Sequence, residues 1–540
     1  MLMISIGCRC SPRARHPCYR RAPPTSWFVF GTAGDTILPF LACLGEHPIK
    51  FIQLRNEESA AYAASAYAKL TGELGVVIGD GGPGTGRLIN GLADALSDGA
   101  PVLAVTGQVE SIYLGTGHKQ YINQQQLLGA VTLRSENLGS PRSLPTLASD
   151  LLRTAVFQGG PVHLSIPKDF WQQAIAAPLA KPEPFLHQTA QSPEAVLDQA
   201  AQWLAQLERP MILAGRGARQ AVEQVLALAE KLGAGVIYTL PMVGVMPDHP
   251  LVVRGIGKGG SEAAVELLKR CDGLLKLGAT NWPPELTADE HKVLALDIHP
   301  ANLSRGIPAD FGVVGDAQAV LAKLLARLDG VGTKQSWIDQ VKEQAAAWRR
   351  RLEQELQHAA PGHPGRAIRI LSAKSQASSV FCLDVGDHVL WFSRFFQGRG
   401  QEVLISGCWR GMGFSLGAGI AAQLARADAQ VFSVVGDGGF SMLMGEFVSA
   451  VELQLPIIFV LMNNRSYAME ASAMAAARLK TIGVALRDIR FDQVAQACGG
   501  VGLRLAPPEP EAALEQVPQR GKPLLIDLQV DPVELPTAHL

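Results

Sequence analysis

The chain has 540 residues, 47% of them hydrophobic and 18% charged, with 48 lysines and arginines against 49 acids. A chain this long divides into about three domains with sizeable cores, and a formal net charge of −1 excludes the broad basic face that nucleic acid or an anionic membrane would require. No apolar run approaches the roughly 18 residues that span a bilayer, so no transmembrane segment is expected; eight scattered cysteines read as reduced thiols of a cytoplasmic protein.

Residues 1–26 carry five arginines and no acid, and their apolar opening is too short for a secretory signal. They read three ways: an organelle-type targeting segment, a zinc site from Cys8, Cys10, His16 and Cys18, or a start placed upstream of a truncated gene. C-x-C without a second clear pair gives zinc little support. The expectation is a disordered or wrongly started N-terminus.

From Phe28 onward short buried strands alternate with amphipathic helices, the pattern of α/β domains with doubly wound, Rossmann-like parallel sheets. Three are expected, at 27–176, 193–329 and 379–540, with a helical, charged connector over 330–378. In the first, Arg55-Asn56-Glu57-Glu58 opens an alanine-rich helix, and a strand at Leu74–Ile78 ends in Gly79-Asp80-Gly81-Gly82-Pro83-Gly84. Gly79, Gly81 and Gly84 fit the dinucleotide fingerprint, but no acid ends a second strand about 20 residues later. The middle domain shows strand and turn signals at Met211–Gly217, Gly235–Thr239, Leu274–Gly278 and Val293–Asp297.

The most informative stretch comes last. Val431–Val435 reads as a buried strand ended by Gly436-Asp437-Gly438-Gly439. Helical spacing of Met444, Phe447, Val448, Val451 and Leu455 begins after Ser441, Pro456 stops it, and a second strand over Ile457–Met462 ends in Asn463-Asn464. A parallel crossover brings both strand ends to one sheet edge, so Asp437 and Asn464 converge. One carboxylate, one amide oxygen and a loop carbonyl suit Mg²⁺, which completes its octahedron with phosphate oxygens and water.

Gly-Asp-Gly, 24 intervening residues and Asn-Asn resemble the cofactor motif of thiamine diphosphate enzymes. The block Arg55–Gly72 looks like the pyrimidine-binding segment of the pyruvate oxidase and acetolactate synthase group. Six further blocks, among them Phe30–Leu41, Asn90–Val109, Gly160–Asp169 and Gly411–Ala422, resemble that group in the expected order. The likeness runs from about Phe28 to Leu535, and it implies metal ligands at Asp437, Asn464 and the Ser466 carbonyl. It implies diphosphate contacts from the Gly386-Asp387-His388 turn and from the N–H groups of Gly438 and Gly439. Met412 would be the apolar wedge between the thiamine rings, and Gln120 a glutamine near the reacting carbon. Glu57 would be the acid that hydrogen-bonds the aminopyrimidine and favours the tautomer able to remove the C2 proton.

The resemblance implies decarboxylation of a 2-oxo acid, pyruvate first, followed by oxidation, transfer to a second oxo acid or protonation. The middle domain would bind FAD in some relatives and not in others, with Ala214–Ala218 and Asp297–Pro300 as the segments similar to flavin contacts. Relatives share each active site between subunits, so a homodimer or homotetramer is expected. The chain departs from the pattern in lacking the opening helix, and at Asn56, Ala468 and Arg410, where histidine, glycine and glycine are usual. Arg410 either clamps a substrate carboxylate or obstructs the site of an inactive paralogue.

Overall fold

The computed structural model describes residues 27–173, 191–282, 291–332, 334–506 and 521–534. The four candidate zinc ligands and nearly all of the expected first linker lie outside these residues. Three six-stranded sheets, every pairing parallel, make up the architecture.

The first sheet comprises β1 (Phe28–Gly31), β2 (Lys50–Gln53), β3 (Gly75–Gly79), β4 (Val102–Gln108), β5 (Arg134–Asn137) and β6 (Pro161–Pro167), in the order β2-β1-β3-β4-β6-β5. The central sheet holds β7 (Pro210–Ala214), β8 (Gly235–Tyr238), β9 (Val252–Gly255), β10 (Gly273–Leu277), β11 (Lys292–Asp297) and β12 (Phe311–Val314), ordered β12-β11-β10-β7-β8-β9. In the third, β13 (Val380–Leu383), β14 (Glu402–Ile405), β15 (Val431–Gly436), β16 (Ile458–Asn463), β17 (Val501–Leu505) and β18 (Leu524–Gln529) run β14-β13-β15-β16-β18-β17. Numbered within each domain, the outer two share the order 2-1-3-4-6-5, whereas the central one has the 3-2-1-4-5-6 order of dinucleotide-binding folds. The connector supplies the helices Gln335–His358 and Pro364–Lys374, and the Trp337 indole donates to the Pro210 carbonyl of the central domain at 3.1 Å.

One helix joins the first domain to the third. Helix α1 (Glu57–Thr71) starts at Asn56, whose side chain accepts from the Glu58 N–H at 2.9 Å, and stops at Gly72 in the left-handed region at φ 77°. Its acids lie in the first turn and Lys69 in the last, as the helix dipole favours. Alanines along α1 leave room for close approach, so it is buried almost all round, against the helix Phe414–Ala425 of the third domain.

Lys69 ties the domains together. Its ammonium contacts Asp94 at 2.7 Å, Asp98 at 2.6 Å and the Ile405 carbonyl at 3.1 Å. Asp98 accepts the N–H groups of Gly407 at 3.0 Å and Cys408 at 3.1 Å, and its carbonyl accepts from Arg216 of the central domain. Burial alone would raise the Asp98 pKa, but Lys69 and Arg216 hold it down at about 2.

Candidate active site

At the carboxyl edge of the third sheet, β15 runs directly into a helix (Asp437–Leu443), which a break at Met444 separates from a second (Gly445–Glu452). The sequence pattern places the helix start after Ser441. The backbone is helical from Asp437 because the Gly-Asp-Gly-Gly turn is itself the first helical turn, with Gly436 extended as its cap. The Gly438 and Gly439 N–H groups therefore belong to the unsatisfied first turn of a helix. A side chain on Gly438 would strike the Tyr467 ring. Met444, expected on the buried stripe, is 46% exposed, and Glu446 is buried instead.

Asp437 is 4% exposed and its Oδ2 has no hydrogen-bond partner. Burial pushes its pKa up to about 6, opposed by backbone N–H groups and reinforced by the nearby charge of Asp387. Asn464 follows β16, accepts the Ser466 N–H on Oδ1 at 3.1 Å and donates from Nδ2 to Asp387 Oδ2 at 3.1 Å. Ser466 bridges Ala485, yet the bonds of that bridge run between Tyr467 and Val484 and between Leu486 and Arg465, so the Ser466 amide groups stay outside the pairing. The structure thus assembles Asp437, Asn464 and Ser466 at one sheet edge. An orphaned buried carboxylate oxygen beside an amide oxygen and an unengaged carbonyl fits a hard cation such as Mg²⁺. Among the described residues no trio of histidine, cysteine, aspartate or glutamate could serve instead.

The Gly386-Asp387-His388 turn follows β13 and opens the helix Asp387–Phe395. His388 is fully buried, and burial lowers its pKa to about 4, opposed by a hydrogen bond to the Asp384 backbone; it is a neutral imidazole at physiological pH. The Asp387 side chain accepts the Asn464 amide N–H at 3.1 Å. Met412 is partly buried in the loop that follows β14, and Arg410 in the same loop is exposed with φ 62°. Asp98, anchored on Lys69, pins the start of this loop.

The first-domain half is built on the Gly79–Gly84 turn. Glu57 is 5% exposed, and its Oε2 lies 3.4 Å from the guanidinium of Arg87, whose side chain is 60% exposed. Gly84 and Gly82 are the positions where this turn needs glycine. A Cβ on Gly84 would stand 2.9 Å from Glu57 Oε1, and one on Gly82, at φ 67°, 2.5 Å from the Gln120 carbonyl. Gln120 is itself left-handed, at φ 63°, on an exposed loop laid over the turn. Of the glycines in the weak dinucleotide fingerprint, Gly84 makes way for Glu57, and Gly81 packs closely on Thr36 and the Gly107 carbonyl.

Two residues escaped the sequence reading. Arg87 carried no spacing signal, since its partner lies 30 residues away. Glu446 accepts the N–H groups of Arg55 at 3.1 Å and Asn56 at 3.0 Å, holding the backbone just ahead of Glu57 onto the third domain.

In the central domain, Gly215 N–H donates to the Leu277 carbonyl at 2.8 Å and Gly217 N–H to the Gly278 carbonyl at 3.1 Å. These are the donors a dinucleotide phosphate would use between β7 and β10. They are engaged within the domain. No helix among the described residues is long and apolar enough to cross a membrane, and Cys43, Cys271, Cys382, Cys408 and Cys498 are free thiols.

Comparison with known proteins agrees with this geometry. Residues 27–127 match the thiamine pyrophosphate enzyme N-terminal TPP binding domain, 197–324 the central domain and 384–528 the C-terminal TPP binding domain. The chain is 32% identical over 510 residues to YdaP of Bacillus subtilis, described as thiamine pyrophosphate-containing, covering 93% of this chain and 88% of that one. It is 33% identical to the acetolactate synthase isozyme 2 large subunit of Escherichia coli, over 82% of this chain and 81% of that one. With the pyruvate oxidase of Lactiplantibacillus plantarum it shares 30% identity, over 86% and 81% respectively. Three domains in order, two half-sites at the expected sheet edges and relatives matched over most of their length lead to one conclusion: this chain belongs to the thiamine pyrophosphate enzyme family.

Proposed function

We propose that the protein is a thiamine diphosphate- and Mg²⁺-dependent enzyme that removes CO₂ from a 2-oxo acid, pyruvate first. The orphaned Asp437 oxygen set against Asn464 and Ser466, together with a buried Glu57 in the first domain, carries this reading. When bound, thiamine diphosphate supplies an electron sink for the carbanion left by decarboxylation.

The chain's residues have separate tasks. Asp437, Asn464 and the Ser466 carbonyl hold the metal. The N–H groups of Gly438 and Gly439 and the neutral His388 imidazole, with Gly386 beside it, receive the diphosphate. Met412 supports the bend between the rings. Glu57 shares a proton with the aminopyrimidine, Gln120 lies over the reacting end, and Arg410 receives the carboxylate of the substrate.

The assembly is at least a homodimer, with a tetramer next. Exposed apolar residues lie on both site-bearing domains: Ile112, Tyr113 and Ile122 on the first-domain loop, and Met442, Met444, Leu479 and Ile482 on the third domain. Such residues suit a second subunit better than water. Sedimentation of a monomer at micromolar concentration would contradict this.

The decisive assay is CO₂ release from pyruvate by purified protein given thiamine diphosphate and Mg²⁺. Release that Glu57→Gln abolishes supports the reading; no release from any 2-oxo acid refutes it and favours an inactive paralogue. Similarity to an acetolactate synthase supports a second outcome, ligation of the two-carbon unit to another oxo acid. Acetolactate among the products would select it, whereas acetate with a flavin spectrum would select the oxidase.

A further inference from the structure

Asp387 stands in a turn expected to face a diphosphate, where a carboxylate is electrostatically unwelcome. Its Oδ2 instead accepts the Asn464 amide N–H at 3.1 Å, while Asn464 Oδ1 accepts the Ser466 N–H at 3.1 Å. With its NH₂ committed to a carboxylate, Asn464 can offer a cation only its oxygen, and its rotation is fixed. Beside it lies the unpartnered Oδ2 of Asp437, in a residue 4% exposed. Two carboxylates thus lie near one another, the charge of Asp387 acting on Asp437.

We propose that Asp387 is a positioning residue of the cation site, orienting Asn464 and adding a second negative charge, so that the site takes up a divalent cation by itself before the diphosphate. The inference rests on the metal-site reading above. Two carboxylates and a fixed amide oxygen form a cation site without help from phosphate oxygens. In the metal-free state the same two charges repel a diphosphate, which sets the order of loading.

The test is titration calorimetry of full-length, cofactor-stripped protein with MnCl₂ in the absence of thiamine diphosphate, repeated with the diphosphate present. Wild type should show saturable binding of Mn²⁺ alone. Asp387→Asn keeps an acceptor for Asn464 but loses the charge, and should weaken that binding about tenfold; Asp387→Ala loses both and should weaken it further, toward a hundredfold. Partial rescue by asparagine is the sign of positioning, and circular dichroism reports whether each variant folds. Wild type that binds Mn²⁺ only when thiamine diphosphate is present, or an Asp387→Ala protein with wild-type Mn²⁺ affinity, overturns the proposal and leaves the function standing. No binding even with metal and thiamine diphosphate together overturns the functional reading, and this inference with it.

Discussion

The first and third domains carry the same four residues, Gly-Asp-Gly-Gly, at the end of the same strand of the same sheet order, and use them differently. In the first domain Pro83 sets the helix start after Gly82, and Asp80 is satisfied at home: its Oδ1 accepts the Thr36 N–H at 2.9 Å and the Thr36 hydroxyl. In the third, the helix begins at Asp437 itself, and one oxygen of that aspartate has no partner. A local motif thus decides where a carboxylate stands, while its neighbours decide whether the carboxylate is structural or vacant for a ligand. The first domain, with its aspartate satisfied, places a glutamate over the turn.

That contrast can be broken in several ways. Glu57→Gln should lower the rate of CO₂ release by roughly 10²–10⁴-fold with an unchanged circular dichroism spectrum. A smaller loss would remove the first domain's acid from the chemistry. Asp437→Asn should weaken Mg²⁺-dependent cofactor binding by about a hundredfold in calorimetry, whereas Asp80→Asn should leave that affinity alone and cost about 1–3 kcal/mol in a urea melt. Equal effects of the two substitutions on cofactor binding would erase the distinction between the turns.

Lys69→Met strands Asp94 and Asp98 in the interior and should cost on the order of 3–5 kcal/mol, read as a lower denaturation midpoint. The residue after the first strand differs as well, Thr32 in one domain and Asp384 in the other. Burial raises the Asp384 pKa to about 7 against the opposing N–H groups of Gly413 and its neighbours. The folded chain thus holds a proton that the unfolded chain releases above about pH 4, so this contribution is complete at low pH and lost as pH rises through 7. Asp384→Asn should flatten the fall in stability between about pH 4 and 7; an unchanged slope would point to another group. Smallest of all, Asn56→Ala should cost about 1 kcal/mol through the lost helix cap and leave metal affinity untouched.

Much of this was legible in the chain because it is local. The strand, helix and strand of residues 431–464 announce themselves by apolar runs, glycines and Pro456, and convergence of Asp437 with Asn464 follows from parallel topology. Local signals failed where structure contradicts habit. Gly438 and Gly439 read as a turn, yet they lie in a first helical turn. Among the central strands, β9 carries Arg254 at φ 82° and a register irregularity, and β12 is four residues with a glycine inside, so neither gave a clear period. Long-range partnerships left no trace in spacing: Glu446 finds its N–H donors 390 and 391 residues away, and Asp387 finds Asn464 at 77.

The grip of Glu446 has one more consequence. Asp437 and Glu446 lie on two successive short helices joined at Met444, so the turn that faces the cation and the carboxylate that holds the peptide just ahead of Glu57 belong to one stretch of chain. Glu446→Ala should therefore disturb the peptide ahead of Glu57 and the Asp437 turn together; lost stability with unchanged cofactor affinity would show the two ends to be independent.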